Sequence, residues 1–290
     1  MINERERTLQ KRKKEAVTML RAPVSLTLIL VMTAGWVGIT AVVGEAAIDE
    51  DVVLAMPFDT EEAKDISSLE HTGVLEGDVK LVEGKIRKAL SFDGDGDKVV
   101  VESKGDALDI VDSDATIVMW AKFANSGVKF DAFCAKNEGG GEKPKWVFYN
   151  RPDDNARPGL TFHINSGDHD PLWFGKVPFV ADKGKWYQIA VVVEGHDYIF
   201  YVDGKNVGEE SDATKEKISL VERAPLTIGW SEGNFFFNGV LDEFLMVKRA
   251  LTAEELSSHF DGGVEGFLAV QPRGKLSAVW GNIKAGIFRH

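Results

Sequence analysis

The stretch Gly184-Lys185-Trp186-Tyr187-Gln188-Ile189-Ala190-Val191-Val192-Val193, then Tyr198-Ile199-Phe200-Tyr201-Val202-Asp203-Gly204-Lys205, decides the fold class. Short runs rich in Val, Ile, Phe, Tyr and Trp, bounded by Gly, Asp and Lys, read as strands. Asp203-Gly204 between apolar runs predicts a type I′ hairpin, whose two central residues both take positive φ. Working outward, similar runs occupy residues 52–58, 89–92, 98–102, 116–123, 146–150, 160–164, 226–230 and 240–247. A single helix is predicted over 252–260, where Thr252 and Glu255 have capping-box spacing and Leu251, Leu256 and Phe260 can face one side. Many strands and one short helix on the C-terminal side predict an all-β, two-sheet antiparallel jelly-roll sandwich.

The beginning of the chain has a different character. Up to Arg21 it carries seven Lys/Arg against Glu4, Glu6 and Glu15, and residues 22–44 hold no charge. A basic start, an apolar run and the small residues of Gly44-Glu45-Ala46 describe a secretory signal peptide cleaved after Ala46. The run of about 20 apolar residues is also long enough to be a retained helical anchor with its basic end in the cytoplasm. A start at Met19 would give a signal peptide of ordinary proportions. In either case the remainder is expected outside the cytoplasm, in secreted or envelope-tethered form. The expected organisation is a signal or anchor over 1–46, one domain over 47–260 and a tail over 261–290.

The 290 residues carry a formal charge of −12, and beyond Ala46 there remain 42 acidic against 27 basic residues. This balance excludes nucleic acid and anionic membrane surfaces as partners, since both demand clustered Lys and Arg. The membrane enters only through the N-terminal segment if that is uncleaved. Cys134 is the lone cysteine, so no internal disulfide forms, and a domain of about 200 residues buries enough core without one.

Several stretches, taken together and in order, resemble the laminin-G-like branch of the concanavalin A-like jelly rolls of bacterial exported proteins. They are Val53-Leu54-Ala55-Met56-Pro57-Phe58-Asp59, then Lys64-Asp65-Ile66-Ser67-Ser68 with His71-Thr72-Gly73, and Lys88-Ala89-Leu90-Ser91-Phe92-Asp93-Gly94. Ala115-Thr116-Ile117-Val118-Met119-Trp120, the paired run quoted first, and Asn238-Gly239-Val240-Leu241-Asp242-Glu243-Phe244 with Arg249-Ala250-Leu251 complete the set. The resemblance implies two antiparallel sheets with a concave face that many relatives use for glycans or protein ligands. It also implies a possible structural Ca2+ near the joined ends of the first and last strands, where Asp59 and Asp242 stand. Six to eight hard oxygen ligands are what that ion needs. Asp242 capping a strand end and Asp59 making an Asx-turn is the competing assignment. The acidic run Asp93-Gly94-Asp95-Gly96-Asp97 fails as an EF-hand, because Lys98 stands in place of the required Gly.

Aromatic residues supply the remaining candidates. Trp120 and Trp186 sit in strand patterns and are assigned to packing. Trp146, Tyr149, Trp173 and Trp230 lie outside those patterns, beside polar loops. Aromatic faces that stack on sugar C–H groups, flanked by polar side chains, make a lectin-like surface. The loop Asn165-Ser166-Gly167-Asp168-His169-Asp170-Pro171-Leu172-Trp173 is the best single stretch for it, with Trp173, Asp168 and His169 as ligand contacts and Trp146 and Trp230 as further ones. Glycosidases on this fold carry two or three carboxylates at alternate positions of one strand. Glu76-Gly77-Asp78 comes nearest but continues into Lys80 and Leu81. His163, His169 and His196 lack metal-ligand spacing. The expectation is therefore a non-catalytic binding module for a glycan, with an adhesive protein-interaction domain as the alternative and a glycosidase third.

Overall fold

Strand residues alternate between two faces, so each strand of this protein can be followed by asking what covers each side. The computed structural model describes residues 50–270 except 112, 126–129, 138–143, 153–158, 166–171 and 214–223. The expected signal or anchor over 1–46, and residues 271–290 of the expected tail, lie outside that set.

The described chain runs β1 (Val52–Met56), β2 (Gly73–Glu76), β3 (Lys80–Glu83), β4 (Lys88–Asp93), β5 (Lys98–Val101), β6 (Ala115–Phe123), β7 (Asp131–Asn137) and β8 (Lys145–Arg151). It continues with β9 (Gly159–Asn165), β10 (Leu172–Val177), β11 (Trp186–Glu194), β12 (Asp197–Val202), β13 (Lys205–Ser211), β14 (Leu226–Ile228), β15 (Asn238–Val247) and helix α1 (Ala253–Val270). One sheet is ordered β13-β12-β11-β6-β15-β4-β3, with β1 also paired to β15; the other is β10-β9-β8-β7-β14-β5-β2. The pairings are antiparallel, as the sequence predicts for a two-sheet jelly roll. Asp203 and Gly204 both take positive φ, 50° and 71°, and close the expected hairpin with Val202 opposite Lys205.

The core lies between the sheets. Ile117, Met119, Ala121 and Phe123 of β6 and Tyr187, Ile189, Val191 and Val193 of β11 face it, with Phe133, Trp146, Phe148 and Phe162 from the opposite sheet. The intervening Val118, Ala190 and Val192 face the other way and are buried too. What covers them is α1 and the turn before it: Leu251 of the turn and Leu256, Val264 and Phe267 of the helix pack on that outer face, and Trp120 meets Phe260 at 4.9 Å. Both faces of β6 and β11 are therefore dry, which is why these strands are nearly continuous apolar runs.

The helix starts as predicted. Thr252 N–H donates to Glu255 Oε2 (2.9 Å) and Glu255 N–H to Thr252 Oγ1 (3.3 Å), a reciprocal capping box. It does not stop at Phe260, however; ten residues assigned to the tail are helical, with a kink at Gly263 (φ 63°). A side chain there would collide with the Glu243 carboxylate, 2.4 Å from the position of its first carbon.

The turn resembling Lys-Asp-Ile-Ser-Ser is a hydrogen-bond hub. Asp65 Oδ1 accepts from Ala55 N and Ser67 N, and Oδ2 accepts from Ser67 Oγ, His71 N and His71 Nδ1. Those residues serve the fold, pinning the segment after β1 against it.

Candidate functional site

The other outer face of the sandwich, that of the β10-β9-β8-β7 sheet, carries a different set of side chains. Alternation along β8 sends Trp146 and Phe148 into the core and Val147 and Tyr149 to the outside. The register places Ala135, Val147, His163 and Trp173 in one row across four strands, and Ala132, Tyr149 and Thr161 in the next. Half-buried Trp173 and Phe235 pack over buried Ala132, Ala135, Val147 and Tyr149. Phe130, just before β7, lies 4.7 Å from Phe235 and 6.3 Å from Tyr149.

Arg151, at the end of β8, sits among these rings. Its guanidinium carbon is 4.4 Å from the Phe130 ring, 4.8 Å from Trp173 and 5.4 Å from Tyr149. A guanidinium prefers this stacking because it is planar and weakly hydrated. The His163 ring stacks on Trp173 at 3.7 Å with 22° between planes, and its Nδ1 donates to the Leu172 carbonyl at 3.0 Å. Beside them Lys145, 4% exposed, pairs with Glu232 at 2.7 and 2.9 Å. The rings and cations hold each other in place, so the surface is ordered before any ligand arrives. It offers apolar ring edges, a guanidinium and an ion pair within one patch, which suits binding rather than bond breaking.

Of the residues expected to bind, Trp173 is in this patch. Trp146 is not: it is fully buried and stacks on Phe162 at 5.8 Å, because it has the opposite parity to Val147 and Tyr149 on the same strand. Its assignment as a ligand contact is corrected to core packing. Trp230 is half-buried beyond β14, with Lys98 Nζ 4.7 Å above the ring and its Nε1 donating to Gly233 O at 3.2 Å. Asp168 and His169 lie outside the described residues. Phe130, Arg151, His163 and Phe235 were missed. Parity along Lys145–Arg151 was the available signal for Arg151, whereas Phe130 and Phe235 sit in loops that no periodicity reaches.

A second polar centre lies under the helix. Asp242 and Glu243 on β15 are both wholly buried. Asp242 Oδ2 accepts from Lys85 N (2.8 Å) and Ile86 N (3.0 Å), and Glu243 Oε2 accepts from Val264 N (2.6 Å) just past the kink. The Asp242 carboxyl is raised to about 7 and the Glu243 carboxyl to about 8, mainly by burial, with the backbone donors pulling down and nearby Asp59 adding a smaller upward push within those values. His259, also buried, donates from Nε2 to Glu243 O (2.7 Å) and accepts from Gln188 Nε2 at Nδ1 (3.1 Å), a neutral tautomer. Burial lowers its pKa to about 4. Perturbed acids often mark catalytic sites. Here they are buried beneath α1, beyond the reach of a saccharide. Each has one oxygen held by backbone amides and the other, Asp242 Oδ1 and Glu243 Oε1, without a hydrogen-bond partner among the described residues.

The calcium expectation is tested at the same place. Asp59 faces cationic and N–H donors, Arg87 Nε at 3.1 Å and Lys88 N at 3.1 Å, and Asp242 Oδ2 is taken by two amides. Among the described residues no group of three or more His, Cys, Asp or Glu side chains converges as metal ligands. Donor hydrogens and a guanidinium on the would-be ligands oppose a divalent ion, so the arrangement does not fit Ca2+. Asp242 caps the turn before β4 instead.

Among solved structures, the fold is similar to Domain 4 of AbnA, a GH43 extracellular arabinanase from Geobacillus stearothermophilus, in complex with arabinotriose. That match is 16% identical with a TM-score of 0.56, over 71% of this chain and 97% of that one. It is also similar to the binding domain of botulinum neurotoxin DC in complex with rat synaptotagmin II (14% identity, TM-score 0.57, 74% and 52% of the two chains). The binding domain of Paraclostridial Mosquitocidal Protein 1 aligns at 16% identity and TM-score 0.55, over 73% and 52%. The chain thus spans about half the length of the two toxin domains. At such identities the likeness shows the fold. No curated protein matches the chain in sequence. The Laminin_G_3 profile, described as the concanavalin A-like lectin/glucanases superfamily, matches residues 93–257, more than half the chain. With two antiparallel sheets and the ordered turns already described, the chain belongs to that superfamily.

Proposed function

We propose that this protein is a non-catalytic binding module, acting outside the cytoplasm, that recognises glycan through the outer face of β7 to β10. The observation that carries this is the cluster of Trp173, Tyr149, Phe130 and Phe235 around the Arg151 guanidinium. Ring edges take sugar C–H groups, and a pre-ordered patch loses little freedom on binding. The likeness to an arabinanase domain in complex with arabinotriose supports a saccharide, and the likeness to a toxin domain in complex with synaptotagmin keeps protein as the alternative partner. Export rests on the basic and apolar start of the sequence, residues 1–46.

The test is a glycan array probed with the full chain, followed by titration calorimetry on any hit. Trp173→Ala and Arg151→Ala should abolish binding, and Trp230→Phe should leave it intact. Saccharide binding that survives both of the first two changes rules out this face. Hydrolysis of the bound glycan, lost on a single Asp or Glu change, would overturn the non-catalytic assignment.

A further inference from the structure

Arg87 holds a backbone conformation that its side chain makes costly. Its φ is 54°, in the left-handed region where a residue with a Cβ is strained and glycine is not. The turn it belongs to wraps the buried Asp242: Lys85 N and Ile86 N donate to that carboxylate, and Gly84 N donates to Arg87 O at 3.1 Å. A strained residue kept where glycine would serve points to a task for its side chain.

That side chain joins parts of the fold far apart in sequence. Arg87 Nε lies 3.1 Å from Asp59 Oδ2, at the exit of β1. Its Nη2 lies 2.8 Å from Glu265 Oε2 and its Nη1 3.4 Å from Glu265 Oε1, beyond the kink in α1. The fork geometry of a guanidinium allows one cation to hold carboxylates on two elements, which an ammonium cannot match. The buried Glu243, which receives the Val264 amide, also feels this charge.

We propose that the Arg87 guanidinium is a built-in cation that replaces a bound divalent ion at the joined ends of the first and last strands, and clamps the second half of α1 to the sandwich. The arrangement is half-exposed, so it weakens with ionic strength, as screened pairs do.

The test uses thermal unfolding and amide hydrogen exchange of the full chain. Millimolar calcium added after chelation should move the wild-type Tm by less than about 1 °C. Arg87→Gly, which relieves the backbone strain, should nevertheless lower Tm by about 2–4 °C, and Arg87→Ala should do the same. Both variants should speed exchange at Val264 to Val270 without changing β6. Calcium raising the wild-type Tm by several degrees, Arg87→Gly matching or exceeding wild type, or a loss of Tm without selective exchange would each overturn the proposal.

Discussion

The two outer faces of the sandwich differ in what the chain itself has done with them. On the sheet containing β6 and β11, the outer face is mostly apolar and α1 and the turn before it lie over it, with Leu251, Leu256, Val264 and Phe267 against Val118, Ala190 and Val192. On the sheet containing β8 and β9, the outer face carries aromatics threaded with Arg151, His163 and the Lys145–Glu232 pair. On the sealed face, polar side chains find partners within the fold: Gln188 Nε2 donates to Leu256 O and His259 Nδ1, and Asp242 and Glu243 each accept from backbone amides through one oxygen. A face meant to meet something else keeps charge and aromatic edges together. The first contributes stability, and on the proposed function the second contributes recognition, so substitutions should separate them.

The largest effect is expected under the helix. Leu256→Ala removes a fully buried side chain and should cost about 2–5 kcal/mol, lowering Tm by roughly 6–12 °C in a circular dichroism melt. Ligand affinity measured well below Tm should be unchanged; a parallel loss would show that the two faces are coupled. Next comes Trp173→Ala, for which calorimetry should show affinity reduced about tenfold or more while Tm falls by only about 2–4 °C. If it destabilises the fold as strongly as Leu256→Ala, the aromatic face is a second core rather than a binding surface.

A smaller effect follows from the titrating groups beneath α1. Asp242 and Glu243 have folded pKa values of about 7 and about 8, raised above the ordinary carboxyl values of 3.8 and 4.5. Their contribution to stability is complete below those ordinary values and is lost as pH rises through the folded ones. His259 runs the other way: with its folded pKa near 4 against 6.5, its contribution is present above 6.5 and lost as pH falls toward 4. Glu243→Gln keeps an acceptor for Val264 N–H and removes the charge. Its Tm should therefore fall less than that of wild type between about pH 6 and about pH 9. An equal fall in the two proteins would mean that Glu243 is not the group responsible. The smallest effect is Glu232→Gln on the aromatic face: the amide keeps an acceptor for Lys145 Nζ, so it should cost about 1–2 kcal/mol in denaturant titrations while altering the salt dependence of ligand binding.

Much of this architecture was legible because it depends on short-range pattern. The Asp203-Gly204 hairpin, the Thr252–Glu255 cap and the paired runs of β11 and β12 rest on local conformational preference, and each appears where the sequence predicts it. Strands β2, β3, β7, β10 and β13 were missed, since Gly73–Glu76 and Lys80–Glu83 are four residues each, and Lys205–Ser211 is an exposed edge with little apolar content. The helix runs beyond the predicted 252–260, although Gly262-Gly263 is a pair that ordinarily ends one. In the fold, the Glu243 carboxylate takes up the freed amide of Val264, and the chain turns helical again.

The proposed binding face shows the same division. The aromatic content and the candidacy of Trp173 were visible in sequence, but Trp146 was misplaced, because one step along a strand exchanges core for surface and sequence does not say which parity faces inward. Phe130, Arg151 and Phe235 meet only through strand pairing and loop closure.

By itself, then, the sequence determined the all-β class, most of the strands, the hairpin, the helix start and the family resemblance, all properties of neighbouring residues and their order. Only the tertiary structure decided which outer face the helix seals, that Asp242 and Glu243 are buried acids receiving backbone amides, and that Arg151 lies among three rings. Those outcomes depend on residues far apart in the chain, whose burial and electrostatic surroundings exist only once the sheets have paired and packed.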